Sequence, residues 1–199
     1  MNNDFINAVK AQDYAYLHAS ILAGQTPNVV GNDGKSALLV ATEAHDPSMV
    51  RWLLEHGAQG DFYDPAYSIL DQTAFLAAGA NGFTDILEIL IPYEPDVAIR
   101  NGVGGTALIP AAEQGHVDTV RLLLEQTKVD VNCVNQLGWT ALLEVVILGR
   151  DTNAYQEIVG LLLGHGAAPR LADNEGVTPL EHAQRRHLTK ILPLLRAAG

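Results

Sequence analysis

The sequence predicts an all-α solenoid of stacked helix-turn-helix units joined by hairpin-like turns. The first observation is a repeated phrase: a hydroxyl residue, a small residue or proline, then leucine or phenylalanine. Its copies are 37, 33, 34 and 38 residues apart and begin at Ser36, Thr73, Thr106, Thr140 and Thr178. The second observation is a glycine nine residues after three of these hydroxyls, and the third is an apolar stripe that follows. A period near 33 residues is typical of repeat proteins, whose units bury one another.

The two ends of the chain differ from its middle. Residues 4–24 show two short helical patterns without the phrase, and residues 188–195 show a helical pattern interrupted by Pro193. Terminal units of a repeat array commonly depart from the pattern in this way, because they cap the stack. We therefore expect one domain, residues 1–199, divided into an N-terminal cap (1–30), four repeats (31–67, 68–100, 101–134 and 135–172) and a C-terminal capping repeat (173–199).

Residues 101–132 form the clearest unit. Thr106 precedes an apolar pattern, so its hydroxyl is expected to cap the first helix, and Pro110 lies early enough to leave that helix intact. Gly115 is expected to end the helix in the left-handed conformation, as are the equivalent glycines Gly82 and Gly149. The apolar stripe that follows predicts a second helix.

Two intervals exceed 33 residues by four or five, and the positions of the apolar stripes locate the extra residues. Four of them fall within residues 61–71, and five fall in a helix-to-helix loop around residues 150–157. Loops often carry recognition, but neutral drift in an exposed loop explains these insertions equally well.

Composition excludes several classes of protein. The chain has 12 Lys and Arg against 23 Asp and Glu, a net charge of −11, which repels nucleic acid and favours basic partners. With 48% hydrophobic residues the chain has enough apolar surface to fold. Cys133 is the single cysteine, and neither a secretory signal nor an apolar run long enough for a membrane helix is visible. We expect a cytoplasmic protein with no membrane contact.

Few residues point to catalysis or metal binding. The seven histidines lack the spacing of metal ligands, and Cys133 has no paired base. The glycine-rich segment 102–105 precedes a helix but lacks the lysine of a phosphate-binding loop. Glu43, Glu113 and Glu144 lie on or near first helices, and solvation explains them better than acid–base chemistry. We expect no enzyme activity, no metal and no cofactor.

The unit 101–132 closely resembles the ankyrin repeat. It has the Asn and Gly turn, the Thr-Ala-Leu helix start, Ala-Ala, Gly-His, a Val- and Leu-rich second helix and a Val-Asp-Val-Asn ending. The resemblance covers nearly the whole chain and implies an ankyrin-repeat solenoid. One departure is the fourth place of the family's Thr-Pro-Leu-His phrase, where this chain has no histidine but Leu39, Leu76, Ile109, Leu143 and Glu181.

The resemblance also implies a binding surface. Proteins of this family commonly hold partners on the concave side, which the turns between repeats and the exposed face of the first helices form. Carried over to this sequence, those places are Asp33, Lys35, Glu43, Ile69, Leu70, Gln72, Asn81, Val103, Glu113, Gln114, Gln136, Leu137, Trp139, Ile147, Leu148, Asn174, Glu175, Arg185 and Arg186. The middle of this set is apolar and its ends are charged.

Trp139 is the strongest candidate for a binding residue. In this repeat the residue between the turn Gly138 and Thr140 points away from the core, and tryptophan is common at interface hot spots. Leu137, Ile147 and Leu148 would complete an exposed apolar patch. The alternative is that these side chains pack on the adjacent turn and on each other.

We therefore expect a monomeric, non-catalytic module that binds an unidentified protein. One alternative is an inhibitor or immunity-type protein for a basic partner, which the acidity suits. A second is a regulator associated with nucleic acid, for which the only basic cluster is Arg185, Arg186 and Lys190. A third is an enzyme or metal protein, which would need titratable groups that converge in one cleft.

Overall fold

The computed structural model describes residues 2–62 and 72–199. Within them the chain forms paired α-helices, and regular structure includes no β-strand, only an isolated bridge between Val30 and Ser36. The helices are α1 (Asn2–Ala11), α2 (Tyr14–Leu22), α3 (Ala37–Glu43), α4 (Pro47–Glu55), α5 (Ala74–Asn81), α6 (Thr84–Leu90, continued by a 3₁₀ turn at Ile91–Tyr93), α7 (Leu108–Glu113), α8 (Val117–Gln126), α9 (Ala141–Leu148), α10 (Asn153–Gly164), α11 (Pro179–Arg185) and α12 (Leu192–Ala198). The predicted helical fold is confirmed.

Four of the five repeated hydroxyls begin a helix as the sequence predicts. Each side-chain oxygen accepts a hydrogen bond from the backbone N–H three residues later, which would otherwise lack a partner inside the helix. At Thr178 the Glu181 carboxylate also accepts from the Thr178 N–H, which completes a capping box. The four bonds join Ser36 to Leu39 (3.1 Å), Thr73 to Leu76 (3.2 Å), Thr140 to Leu143 (3.2 Å) and Thr178 to Glu181 (3.3 Å).

Thr106 does not cap α7, contrary to the prediction. In the other repeats the hydroxyl residue's carbonyl accepts from the N–H four residues later, as Thr140 accepts from Glu144 at 2.9 Å. Pro110 occupies that place and has no N–H, so the Thr106 carbonyl accepts from Ile109 instead, at 3.2 Å. The first turn is tightened and α7 begins only at Leu108. The buried Thr106 hydroxyl therefore has no hydrogen-bond partner among the described residues.

Replacing Pro110 by alanine should restore this cap. The new N–H would pair with the Thr106 carbonyl, and the free energy of unfolding should rise by about 1 kcal/mol in urea denaturation. Thr106→Val supplies the control, since it should cost nothing in the wild type but about 1 kcal/mol in the Pro110→Ala background. Equal effects of Thr106→Val in both backgrounds would show that Pro110 does not disable the cap.

The glycines that end first helices do so for two different reasons. Gly82 and Gly115 have φ of +71° and +82°, so the predicted left-handed conformation is confirmed at both. For Gly149 it is wrong, because its φ is −63°. A Cβ there would lie 2.3 Å from the Val145 carbonyl oxygen and 2.7 Å from the Tyr155 ring. Gly149 is required by close packing rather than by backbone conformation.

The insertion around residues 150–157 was expected to be a loop, and this is only partly right. Residues Asn153 to Glu157 are helical and belong to the first turns of α10. Their Tyr155 ring lies against Gly115 and Gly149, and its hydroxyl donates to the Glu113 carbonyl at 2.8 Å. The insertion therefore lengthens α10 at its start and places Tyr155 against these two glycines. Most of the other inserted segment, residues 63–71, lies outside the described residues.

The chain divides into two compact units, and each has its own core. The first comprises residues 1–78 and 83–102, and the second comprises residues 79–82 and 103–199. Phe5, Leu53 and Leu87 are fully buried in the first unit, as are Leu123 and Leu142 in the second. No helix among the described residues is long and apolar enough to cross a membrane. The division into six repeat units stays a prediction.

Candidate functional site

The turn at residues 135–139 of the second unit is fixed by one side chain. Asn135 Oδ1 accepts from the backbone N–H groups of Leu137 (2.9 Å) and Trp139 (3.0 Å), while the Asn135 N–H donates to the Trp139 carbonyl at 3.0 Å. Gly138 takes the positive φ of +76° that the turn requires. These bonds hold the residues on either side of Gly138 in a defined conformation.

Adjacent turns of the second unit are hydrogen-bonded to this one. The Gln136 N–H donates to the Val103 carbonyl at 2.9 Å, and Asn174 Nδ2 donates to the Leu137 carbonyl at 3.0 Å. Three successive turns therefore support one another. This arrangement pre-organises the surface, which lowers the entropy that binding would cost.

Apolar side chains are exposed on the turn and at the end of α9. Leu137 is 55% exposed and Leu148 is 50% exposed, whereas Trp139 and Ile147 are half-buried. The rest of the α9 sequence is buried, so these side chains are not needed to fill the core. We call Leu137, Trp139, Ile147 and Leu148 the Trp139 patch. Exposed apolar side chains held on a rigid turn are typical of interaction surfaces.

Glu144 differs most from its predicted environment. It was expected to be solvated, but it is only 5% exposed. Its Oε1 accepts from Asn135 Nδ2 at 2.7 Å, and its buried Oε2 has no hydrogen-bond partner among the described residues. The pKa of Glu144 is raised to about 7, mainly by burial and also by the negative charge of Glu113, and the Asn135 hydrogen bond only partly offsets these two effects. The site therefore holds a carboxyl group that titrates near neutral pH.

An equivalent pair of residues in the last repeat shows which sequence signal could have predicted the contact of Glu144 with Asn135. Asp173 and His182 stand five residues before and four residues after Thr178, as Asn135 and Glu144 stand around Thr140. His182 Nε2 lies 2.7 Å from Asp173 Oδ2. A turn residue and a helix residue at these offsets therefore contact each other in both repeats. Comparing these two places between repeats would have predicted the Asn135–Glu144 contact.

The predicted binding residues of the first unit are charged and largely paired internally. Lys35 Nζ lies 2.6 Å from Glu43 Oε2, and Asp33 lies 3.6 Å from Lys10 Nζ. Gln72 is half-buried. The predicted residues Ile69 and Leu70 lie outside the described residues.

Other predicted binding residues belong to the second unit and differ in exposure. Glu113 is half-buried. Arg186 is exposed, but its Nη1 donates to the carbonyls of Val146 (3.0 Å) and Gly149 (2.9 Å), so it links the end of α11 to the end of α9. The remaining members are all exposed, namely Asn81, Val103, Gln114, Gln136, Asn174, Glu175 and Arg185.

Comparison with known proteins identifies relatives over the whole chain. The family model for ankyrin repeats (3 copies) matches residues 5–101 and 63–135. The ankyrin repeat protein YahD of Escherichia coli (strain K12) is 36% identical over 98% of this chain and 96% of its own length. The crystal structure of an ankyrin repeat domain from Acinetobacter baumannii AYE is 43% identical, with a TM-score of 0.89, and the match covers 100% of this chain and 99% of that one. The cyclin-dependent kinase 4 inhibitor B of Rattus norvegicus is 36% identical over 49% of this chain and 71% of its own length.

Proposed function

Because the chain belongs to the ankyrin repeat family, whose domains generally mediate interactions between proteins, we propose that it is a non-catalytic module that binds a protein through the Trp139 patch. The observation that carries this proposal is the exposure of Leu137 beside Trp139, on a turn fixed by Asn135, together with the exposure of Leu148 at the end of α9. A tryptophan flanked by aliphatic side chains can supply most of the affinity of an interface.

The partner is a protein with a basic surface. The net charge of −11 favours positively charged proteins and disfavours nucleic acid. We place the encounter in the cytoplasm and propose that the chain acts as a monomer. The hydrogen bonds between successive turns favour a preformed binding surface over one that folds on binding.

A second candidate function is inhibition of a basic protein. Two observations favour it: the acidity of the chain and its similarity to a protein named as an inhibitor of a cyclin-dependent kinase. An inhibitor would occupy a functional site of its target, whereas an adaptor would leave that site free. An activity assay of the recovered partner separates the two functions.

Replacing Trp139 and Leu148 by alanine should abolish partner capture without unfolding the chain. Wild-type and variant chains would be used as bait in native lysate, and Trp139→Ala alone should weaken binding of the recovered partner by more than about 1 kcal/mol. The control is Leu22→Ala in the first unit, since Leu22 is 79% exposed and lies outside the patch. If the double variant and the wild type recover the same proteins equally well, the patch is not the binding site.

A further inference from the structure

The last part of the chain carries a charge opposite to that of the whole. Residues 179–199 contain one acidic residue, Glu181, and four basic ones, namely Arg185, Arg186, Lys190 and Arg196. The whole chain has a net charge of −11. A positive region on an acidic protein attracts anions that the rest of the surface repels. A partner with a basic surface gives no reason for this region.

Two of these cations are held against the connection between α9 and α10. Arg186 Nη1 donates to two backbone carbonyls at the end of α9, at 3.0 and 2.9 Å, and Lys190 Nζ donates to Asn153 Oδ1 at 2.6 Å. The connection itself contributes a third cation, Arg150. All three side chains belong to exposed residues. We call Arg150, Arg186 and Lys190 the Arg186 cluster.

One carboxylate fixes the backbone that carries this cluster. Asp151 Oδ2 accepts from the N–H and the hydroxyl of Thr189, at 2.9 and 2.8 Å, and Asp151 Oδ1 accepts from the N–H of Lys190 at 3.0 Å. Asp151 follows Arg150 in the chain, so these bonds hold the segments that carry Arg150 and Lys190 close together. The cluster is therefore assembled before any ligand arrives, which lowers the entropy that binding would cost.

The positive charge of the cluster is not neutralised within the chain. Among the described residues, none of its three side chains forms an ion pair with a carboxylate. Asp151 is engaged by the three donors given above, and its single charge faces three cations. Glu181, one turn before Arg185 on α11, accepts from the Thr178 N–H at 2.7 Å and from the Thr178 hydroxyl at 2.8 Å. A net positive charge remains on an exposed and ordered surface.

We propose that the Arg186 cluster binds an acidic segment of a protein, with several Asp or Glu side chains in succession. Arginine suits carboxylates because its N–H groups pair with both oxygens. Two of the cations are anchored to different places of the connection, at residues 149 and 153, which favours successive carboxylates over a single phosphate group. Nucleic acid is disfavoured because a long polyanion would also meet the acidic remainder of the chain. This site goes beyond the proposed function, since it takes an acidic ligand.

Synthetic peptides test the chemistry of the ligand. A fluorescein-labelled hexaglutamate peptide is titrated with the intact chain at low ionic strength, where exposed charges are least screened, and binding is measured by fluorescence anisotropy. We expect binding that weakens as salt is added, and no binding of a hexaglutamine peptide. A peptide with one phosphoserine and a single-stranded oligothymidylate should both bind more weakly than hexaglutamate.

A double variant tests the protein side of the interaction. Replacing Arg150 and Lys190 by glutamine removes two of the three cations and keeps Arg186, whose bonds support the end of α9. This variant should weaken hexaglutamate binding at least about fivefold. The matched control replaces Arg51 and Lys128, an exposed arginine and an exposed lysine elsewhere in the chain, and changes the net charge equally. Its binding should change less than about twofold, and circular dichroism should show both variants folded.

Each other outcome would overturn the proposal. Equal weakening by the two double variants would show that the overall charge of the chain, and not the cluster, attracts the peptide. Tighter binding of the phosphoserine peptide or the oligothymidylate would replace the acidic segment by a phosphate group or by nucleic acid. A wild type that does not bind hexaglutamate would remove the site. Trp139→Ala should leave hexaglutamate binding unchanged, so a failure of this site and a failure of the Trp139 patch are separate results.

Discussion

Replacing Glu144 by glutamine is expected to raise the free energy of unfolding by as much as roughly 3 kcal/mol at pH about 8, and to leave it almost unchanged at pH about 4. The pKa of Glu144 is about 7 in the folded chain against an ordinary value of 4.5. Each pH unit of that difference corresponds to about 1.4 kcal/mol. Urea denaturation over a series of pH values measures the effect.

The direction in which the free energy of unfolding changes with pH follows from the tighter binding of the Glu144 proton in the folded chain than in the unfolded chain. Between pH 4.5 and about 7 the folded chain keeps the proton of Glu144, whereas the unfolded chain has lost it. Stability contributed by the protonated group is therefore fully present below pH 4.5 and is lost as the pH rises through about 7. Glutamine retains the hydrogen bond from Asn135 Nδ2 but cannot ionise. The Glu144→Gln variant therefore does not lose this stability as the pH rises.

Other carboxyl groups change the free energy of unfolding with pH in the opposite direction, and they do so at lower pH. Backbone hydrogen bonds, first from Val177, lower the pKa of Asp173, and a bond from the Thr178 N–H lowers that of Glu181. Stability from these groups is lost as the pH falls. They are common to both chains and cancel in the difference between wild type and Glu144→Gln. A difference that stays constant from acid to alkaline pH would show that Glu144 is not the titrating group.

Replacing Gly149 by alanine is expected to destabilise the chain by about 1–3 kcal/mol, although alanine is ordinarily the better residue near a helix. The added Cβ would meet the Val145 carbonyl oxygen at 2.3 Å and the Tyr155 ring at 2.7 Å. The carbonyl belongs to the backbone of α9 and the ring is held by its bond to Glu113, so neither can move freely. Urea denaturation or a thermal melt measures the loss.

Gly160 provides the matched control. It lies inside α10, and a Cβ there would meet nothing within 4 Å, so Gly160→Ala should stabilise the chain by about 0.5–1 kcal/mol. Adding Tyr155→Ala to Gly149→Ala should cost less than the sum of the two single changes, because it removes one of the two clashes. A neutral Gly149→Ala would mean that the α9–α10 connection accommodates a side chain.

The sequence pattern predicts the helices well because each helix start depends on the residues next to it in the sequence. The repeated hydroxyl predicts helix starts, since a cap depends on the residue and its next three neighbours. The apolar residues at the fourth place of the phrase, such as Leu39, Ile109 and Leu143, are buried, as their place in the periodic pattern predicts. Each of these outcomes depends on a short segment and on the periodicity of its apolar residues.

One prediction failed because of a residue just beyond the four that form a cap, and the others failed because of contacts between segments. Thr106 lost its cap because a proline four residues later removed a donor. Gly149 is required by a ring that the insertion brings against it, and Glu144 is buried and accepts a hydrogen bond from Asn135 in the preceding turn. Glutamate in the first turn of a helix is usually solvated and stabilised by the helix dipole, and nothing in its own segment indicates burial.

Hydrogen–deuterium exchange of the free chain and of its complex with the recovered partner tests the central claim most directly. The account predicts slower exchange in the complex at the amides of Leu137 and Trp139, which belong to the turn that carries the patch. It also predicts little change at Leu17 and its neighbours in α2. Unchanged exchange across residues 135–139, with protection elsewhere in the chain, would contradict it.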